Sequence, residues 1–116
     1  MTGPTLKNIG EDAAARYLQR LGIRVVERNF RTRFGEIDIV AMEGCRLIFA
    51  EVKTRRPGQT SSPIEAVGYR KQQQLRRLAE SYIAIRRPAF KDCRFDVLGV
   101  TESHGDLEIL HIEDAF

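Results

Sequence analysis

The sequence has no apolar run that approaches the ~20 residues needed by a membrane-spanning helix, so a helical membrane protein is not expected. Residues 1–7 lack a continuous apolar stretch, and no secretory signal is expected there. There are only two cysteines, Cys45 and Cys93, and their spacing is not that of a metal-binding motif. This usage favours reduced, structural thiols. These absences predict a cytoplasmic protein with no membrane partner.

No internal repeat, low-complexity tract or interdomain linker divides the chain. Its 116 residues suffice for one hydrophobic core but not for two, so a single domain over residues 1–116 is predicted. The formal net charge is +3, and arginine dominates the basic residues. Arginine suits phosphate because its planar group can donate two hydrogen bonds at once. This charge is compatible with a nucleic-acid partner but does not require one.

Hydrophobic periodicity predicts seven elements in the order αβββαββ. Helical spacing covers residues 6–21, and a second helix is predicted from Pro63 to about residue 86. Strand-like runs cover residues 23–30, 35–42, 45–54, 95–101 and 107–112. The pattern predicts an α/β fold with a mixed β-sheet flanked by helices.

Charged side chains recur at alternate positions in the second and third predicted strands. Glu36 and Asp38 share one face of the second strand, and Glu51 and Lys53 share one face of the third. The hairpin register then decides how the two strands face each other. A turn at residues 43–44 sets Glu36 opposite Glu51, and a turn at residues 44–45 sets Asp38 opposite Glu51. Either register predicts that all four side chains project from one face.

Three carboxylates on one patch with a single lysine are unfavourable for stability, because like charges opposed across a ladder repel. A hard divalent cation among the oxygens would offset that repulsion. Mg²⁺ takes one or two carboxylates together with waters and phosphate oxygens. The structural alternative is that Glu51 and Lys53 lie on a solvated face while Glu36 pairs with Arg33 or Lys53.

A set of short segments in a fixed order runs from residue 8 to residue 97. They are Asn8-Ile9-Gly10-Glu11-Asp12-Ala13-Ala14, Tyr17-Leu18, Arg28-Asn29-Phe30-Arg31, Gly35-Glu36-Ile37-Asp38, Phe49-Ala50-Glu51-Val52-Lys53-Thr54-Arg55 and Arg94-Phe95-Asp96-Val97. An acidic residue on one strand and Glu-x-Lys on the next resemble the PD-(D/E)xK nuclease superfamily. The ordered set resembles, more narrowly, the YraN-like family of small bacterial proteins, which are related to archaeal Holliday-junction resolvases.

This resemblance implies a restriction-endonuclease-like fold and a metal-dependent endonuclease site for Mg²⁺ or Mn²⁺ that acts on DNA. Asp38 matches the first metal-binding carboxylate of the superfamily and Glu51 the second, with the Val52 carbonyl as a further ligand. Lys53 matches the catalytic lysine, which would orient the attacking water or stabilise charge on the phosphoryl oxygens. Glu11 matches the glutamate on the first helix of resolvase-like members, where it could hold a second metal through water.

The basic residues around this patch are the predicted DNA contacts. Arg31, Arg33, Arg55 and Arg56 flank the patch, either as phosphate contacts or as solvated loop arginines. Lys71 lies one helical turn before Leu75, so it is predicted to face the sheet. There it could contact DNA or Glu51, and an exposed surface lysine is the alternative. Asp96 is predicted to be structural, and His104 and His111 are predicted to be surface residues.

Three other functions fit the same sequence. One is a catalytically silent DNA-binding or junction-binding module on the same fold, and another is an interaction protein that uses a sheet edge or the second helix. The third is an RNA nuclease. The sequence does not separate branched from linear DNA, or endonuclease from exonuclease cutting. The resemblance to resolvases implies a homodimer.

Overall fold

The computed structural model describes residue 3, residues 5–58 and residues 67–116. Within them lie two helices, α1 (Leu6–Arg20) and α2 (Tyr69–Arg86). The strands are β1 (Arg24–Thr32), β2 (Gly35–Glu43), β3 (Arg46–Arg55), β4 (Asp92–Ser103) and β5 (Asp106–Ile112). The predicted α/β class and the order αβββαββ are confirmed.

Local sequence explains the ends of α1. The Asn8 backbone N–H donates to the Thr5 hydroxyl at 3.1 Å, so Thr5 satisfies one of the free amides of the first turn. The chain leaves the helix at Gly22, whose φ of 83° is left-handed and suits glycine.

The start of α2 differs from the prediction. The helix begins at Tyr69, because Gly68 is extended and forms the N-cap. The predicted start at Pro63 lies outside the described residues. At the other end Arg87 is left-handed with a φ of 48°, and Pro88 follows it. A proline at this position prevents the helix from continuing.

The five strands form one mixed sheet in the order β1-β2-β3-β4-β5. β3 and β4 are parallel and are connected through α2, and the other neighbours are antiparallel. Glu43 pairs with Arg46, so the β2–β3 turn consists of Gly44 and Cys45. This is the second of the two predicted registers.

The helices cover opposite faces of the sheet, and each has its own hydrophobic cluster. The α1 cluster joins Ala14 and Leu18 to sheet residues such as Ile48. The α2 cluster joins Leu78 and Tyr82 to sheet residues that include several aromatic rings. Neither described helix combines the length and apolar character that crossing a membrane requires.

The alternation of side chains along β2 breaks at Asp38. Ile37 and Val40 belong to the α2 cluster, whereas Ile39 and Ala41 belong to the α1 cluster. Strict alternation would place Ile37 and Ile39 on the same face. The prediction of an unbroken alternating strand is therefore wrong at this point.

β1 has a matching irregularity opposite Asp38. Asn29 has a φ of 54°, a left-handed conformation that its short polar side chain tolerates better than most. Phe30 still pairs with Ile37, so the ladder continues past the irregularity. The Asn29 side chain donates a hydrogen bond to Glu11 on α1. Both strands thus turn a polar residue towards the first helix.

Candidate metal centre

Glu11 is the acidic residue that α1 presents to the sheet, and it is buried. The preceding residue, Gly10, lies so close to β3 that an added Cβ would overlap the Thr54 side chain. Asn29 Nδ2 donates to Glu11 Oε2 at 3.2 Å, and Lys7 Nζ lies 3.8 Å from Glu11 Oε1. Within the described part of the chain, Oε1 is buried without a hydrogen-bond partner.

Glu11 meets two carboxylates from β2, and the three form what we call the acidic cluster: Glu11, Glu36 and Asp38. One oxygen from each lies within 4.8 Å of one oxygen of the other two. Glu36 accepts hydrogen bonds from Lys7 Nζ at 2.6 Å and from Arg31 Nε at 2.8 Å. These bonds, that of Lys7 first, hold the pKa of Glu36 below its usual value.

Asp38 occupies the point where β2 and β3 separate. The last backbone pair between them joins Ile39 to Ala50, and beyond it the Val52 N–H donates to Asp38 Oδ2 at 2.8 Å. The carboxylate thus takes a hydrogen bond that a backbone carbonyl takes elsewhere in the sheet. Burial and then the charge of Glu51 raise the pKa of Asp38 to about 7, although the Val52 bond opposes this.

Glu51 and Lys53 lie on the α2 face of β3, the face on which Phe49 joins the α2 cluster. Lys53 Nζ and Lys71 Nζ each lie 3.5 Å from Glu51 Oε1. Of the alternatives left open for Lys71, the structure shows the contact with Glu51. Glu51 itself is buried, and its Oε2 has no hydrogen-bond partner among the described residues.

The break at Asp38 divides the predicted charged patch into two pairs. Glu36 and Asp38 lie with the α1 side, and Glu51 and Lys53 lie against α2. The prediction of one shared face is therefore wrong, because it assumed strict alternation along β2. The pairs nevertheless interact, since the charge of Glu51 raises the pKa of Asp38.

The four predicted phosphate contacts lie at the ends of β1 and β3. Arg31 is mostly exposed and pairs with Glu36, whereas the structural alternative named Arg33 or Lys53 as the partner of Glu36. Arg33 instead stacks on the aromatic ring next to it in the chain. Arg55 is the last residue of β3, and Arg56 follows it at an exposed position. No phosphate is needed to hold Arg31 in place, so its role towards DNA stays a prediction.

These elements match a known family over most of their length. The model of the uncharacterised protein family UPF0102 matches residues 10–100. The chain belongs to the UPF0102 family. The UPF0102 protein of Rhodococcus jostii (strain RHA1) is 45% identical over 108 residues, which cover 92% of each chain. That of Syntrophotalea carbinolica is 48% identical over 107 residues, covering 92% of this chain and 87% of its own. The predicted YraN-like membership is confirmed.

Three cationic or amide side chains of this UPF0102 protein join the acidic cluster without having been predicted: Lys7, Arg28 and Asn29. Arg28 bridges Asp12 at 2.8 Å and Glu11 at 3.9 Å. Lys7 could have been found from the sequence, because it precedes Glu11 by one helical turn. Asn29 also gave a signal, since asparagine is uncommon inside a strand.

A second buried polar network of the UPF0102 chain centres on Asp96 of β4. Asp96 accepts hydrogen bonds from Arg94 Nε at 2.9 Å and from the Asp114 backbone N–H at 3.1 Å. His111 Nε2 lies 2.7 Å from Asp96 Oδ2, and the Tyr17 hydroxyl lies 3.2 Å from His111 Nδ1. The predicted surface position of His111 is wrong, because β4–β5 pairing brings its side chain beside Asp96. The other histidine, in the β4–β5 turn, is exposed as predicted.

Proposed function

We propose that this UPF0102 protein is a metal-dependent nuclease that hydrolyses phosphodiester bonds of DNA. Asp38, Glu11 and Glu51 would hold Mg²⁺ or Mn²⁺, with the Val52 carbonyl as a further ligand. The resemblance of the hairpin to the PD-(D/E)xK superfamily supports this assignment and a restriction-endonuclease-like fold.

The observation that carries the proposal is the unbalanced charge around Asp38. The Asp38 carboxyl is buried, and burial together with repulsion from Glu51 and Glu11 raises its pKa to about 7. Glu11 and Glu51 each have a buried oxygen without a hydrogen-bond partner in the described residues. Buried acceptors without partners are costly. A hard divalent cation prefers such oxygens and would neutralise the charge.

When bound, the cation would polarise the scissile phosphate and lower the pKa of a water molecule. The chain itself prepares the ligands for that task. The Val52 amide fixes one Asp38 oxygen at 2.8 Å, so the carboxylate is oriented in advance. Glu36 is already neutralised by Lys7 and Arg31, so its proposed role is to position these cations beside the cluster.

The lysines beside Glu51 supply the positive charge that a phosphate substrate requires. Lys53 is the proposed catalytic lysine, which orients the attacking water or stabilises charge on the phosphoryl oxygens. Lys71 lies equally far from the same Glu51 oxygen and is a proposed DNA contact. Arg31 and Arg33 extend this positive surface along the β1–β2 turn, where they would contact phosphates.

The direct test is a calorimetric titration of Mn²⁺ into wild type, Asp38→Asn and Asp92→Asn. Asparagine keeps an acceptor for the Val52 amide, so the first variant removes charge with little change of shape. Asp92 is an exposed carboxylate paired with Arg46 at 3.3 Å, which makes it a matched control. Each protein is then incubated with labelled four-way-junction, flap and linear DNA in the presence of Mn²⁺.

We expect wild type and Asp92→Asn to bind Mn²⁺ and to cut DNA. Asp38→Asn should lose metal affinity by about 10-fold or more and cutting by about 100-fold or more. Lys53→Met should keep the metal affinity and lose the cutting, which separates binding from chemistry. If wild type binds no metal, and all variants bind DNA equally and never cut it, the protein is a DNA-binding module instead.

A further inference from the structure

A groove on the α2 side of the molecule has no role in the chemistry proposed above. It lies between the β1–β2 turn and the first two turns of α2 and has a volume of about 290 Å³. Gly35 allows the β1–β2 turn to pack closely against Gln74 of α2, because its φ is 132° and an added Cβ would collide with the Gln74 side chain. Gln74 Nε2 donates in turn to the Phe34 carbonyl. The groove is lined by Phe34, Tyr69, Arg70, Gln73, Gln74 and Arg77.

The lining combines aromatic rings with guanidinium groups. Tyr69 is 74% exposed, the largest exposure among the large hydrophobic side chains that the structure describes. Phe34 is partly covered by two cations, with the guanidinium carbon of Arg33 4.9 Å and that of Arg77 5.5 Å from its ring centroid. None of the described lining residues is acidic. The groove therefore offers the open Tyr69 ring beside two arginines, Arg70 and Arg77, the second of which packs on Phe34.

Both walls of the groove continue along the chain into residues of the proposed site. Lys71, two residues after Tyr69, reaches Glu51 at 3.5 Å. Glu36 of the acidic cluster follows Phe34 by two residues on the other wall. Each wall of the groove is thus two residues along the chain from a side chain of the proposed site.

We propose that the groove binds an unpaired nucleotide of the DNA substrate, an inference that rests on the proposed nuclease function. The base stacks on the Tyr69 ring, and Arg70 and Arg77 contact the adjoining phosphates. A base inside a duplex is covered on both faces by its neighbours and offers no free face to an exposed ring. The substrate class assigned by this surface is therefore DNA with single-stranded character, such as a flap, a tail or an open branch point.

The first test is binding without cleavage, measured by fluorescence anisotropy in EDTA. The probes are a duplex with a single-stranded tail, the same duplex with blunt ends, and the tailed duplex with abasic sites along the tail. Abasic sites keep the phosphates and remove the stacking surface. Tyr69→Ala is compared with Tyr69→Phe, which keeps the ring. Ile85→Ala is the control, because Ile85 is 57% exposed on the same helix, about 24 Å away at 1.5 Å per residue.

We expect wild type to bind the tailed duplex about 10-fold more tightly than the blunt or abasic one. Tyr69→Ala should remove this preference, and Tyr69→Phe and Ile85→Ala should keep it. Equal affinity of wild type for tailed, blunt and abasic probes overturns the inference. Tighter binding of an RNA tail than of the DNA tail overturns the assignment to DNA.

A second readout reports stacking directly. The chain contains no tryptophan, so Tyr69→Trp places a single indole in the groove. Its fluorescence should be quenched by the tailed DNA and not by the abasic tail, and Ile85→Trp should respond to neither. Equal quenching of the Tyr69→Trp and Ile85→Trp variants contradicts the proposal. Quenching of Tyr69→Trp by an apolar peptide but not by DNA also contradicts it. All these measurements exclude metal, so they test the groove independently of the proposed nuclease activity. If Mn²⁺-dependent cutting is not observed, the stacking result still holds. If stacking is not observed, the cutting result still holds.

Discussion

Two buried aspartates of this protein have opposite surroundings. Asp96 is 0% exposed and Asp38 is 4% exposed, so burial alone does not distinguish them. Asp96 is within hydrogen-bonding distance of a guanidinium, an imidazole and a backbone amide. Asp38 receives one backbone amide and is repelled by the carboxylates of Glu51 and Glu11.

The pKa values of the two carboxyls follow these partners. Burial would raise the pKa of Asp96, but hydrogen bonds from His111, the Asp114 amide and Arg94 hold it below its usual value. At Asp38 burial acts with repulsion and raises the pKa to about 7. Asp96 therefore has the partners of a structural residue, which tie the end of the chain to β4. Asp38 lacks such partners, which is consistent with the cation site proposed above.

Asp96→Asn should have the largest effect on stability. It would leave the buried Arg94 guanidinium without its carboxylate, at a cost of about 3–5 kcal/mol in the free energy of unfolding. The lower end of that range is expected, because Glu113 lies 3.7 Å from Arg94 and remains. Urea denaturation at pH 7.5 measures the change.

Asp92→Asn is the matched control on the same strand, since it removes an exposed ion pair with Arg46. It should leave the free energy of unfolding nearly unchanged, because exposed ion pairs contribute little to stability. If Asp96→Asn is as mild as this control, the Asp96 network does not stabilise the fold, and the contrast with Asp38 fails.

The pH dependence of stability should have opposite signs at the two aspartates. The folded-state pKa of Asp38 is about 7, above the ordinary aspartate value of 3.8, so the folded state binds the extra proton. In metal-free buffer its contribution to stability is full near pH 4 and is lost as the pH rises through 7, a change on the order of 4 kcal/mol. Asp96 has a lowered pKa, so its contribution is present above pH 3.8 and is lost as the pH falls further.

Asp38→Asn sharpens this prediction. The variant should lack the loss of stability between pH 4 and pH 7, and it should be more stable than wild type at pH 8 without metal. Urea denaturation across this pH range, in EDTA, supplies the comparison. A wild-type profile that is as flat as that of the variant would show that Asp38 has an ordinary pKa.

The sequence predicted the order of the elements because apolar spacing is a local property. The carboxylates on the β2–β3 hairpin were identified for the same reason, since Glu36 and Asp38 lie two residues apart on one strand. The relation of that pair to Glu51 was not predictable, because the alternation breaks at Asp38, opposite the left-handed Asn29 of the neighbouring strand. Such a conformation is set by tertiary packing rather than by a repeating pattern.

The Asp96 network shows a second limit of the sequence. His111 lies 15 residues from Asp96, and only the β4–β5 register brings them together. Tyr17, 94 residues from His111, completes the network from α1. Contacts between distant segments follow from the assembled sheet and have no signature in either segment alone. The groove beside Tyr69 is a similar case, because its other wall is the β1–β2 turn.

The smallest predicted effect is that of a change in α1, the helix that contacts both the acidic cluster and the Asp96 network. Gly10→Ala would gain about 1 kcal/mol of helix propensity, but the new Cβ would overlap Thr54 and cost about 1–3 kcal/mol. A net loss of about 1 kcal/mol in unfolding free energy is expected, because the β-branched Thr54 side chain adjusts poorly. The displacement occurs beside Glu11, so Mn²⁺ affinity should fall while the His111 ring resonances, near the far end of α1, stay unchanged. Adding Thr54→Ala removes the overlapping atoms, so the double variant should recover both stability and Mn²⁺ affinity. A double variant no better than Gly10→Ala would show that the close approach of Gly10 to β3 does not position Glu11.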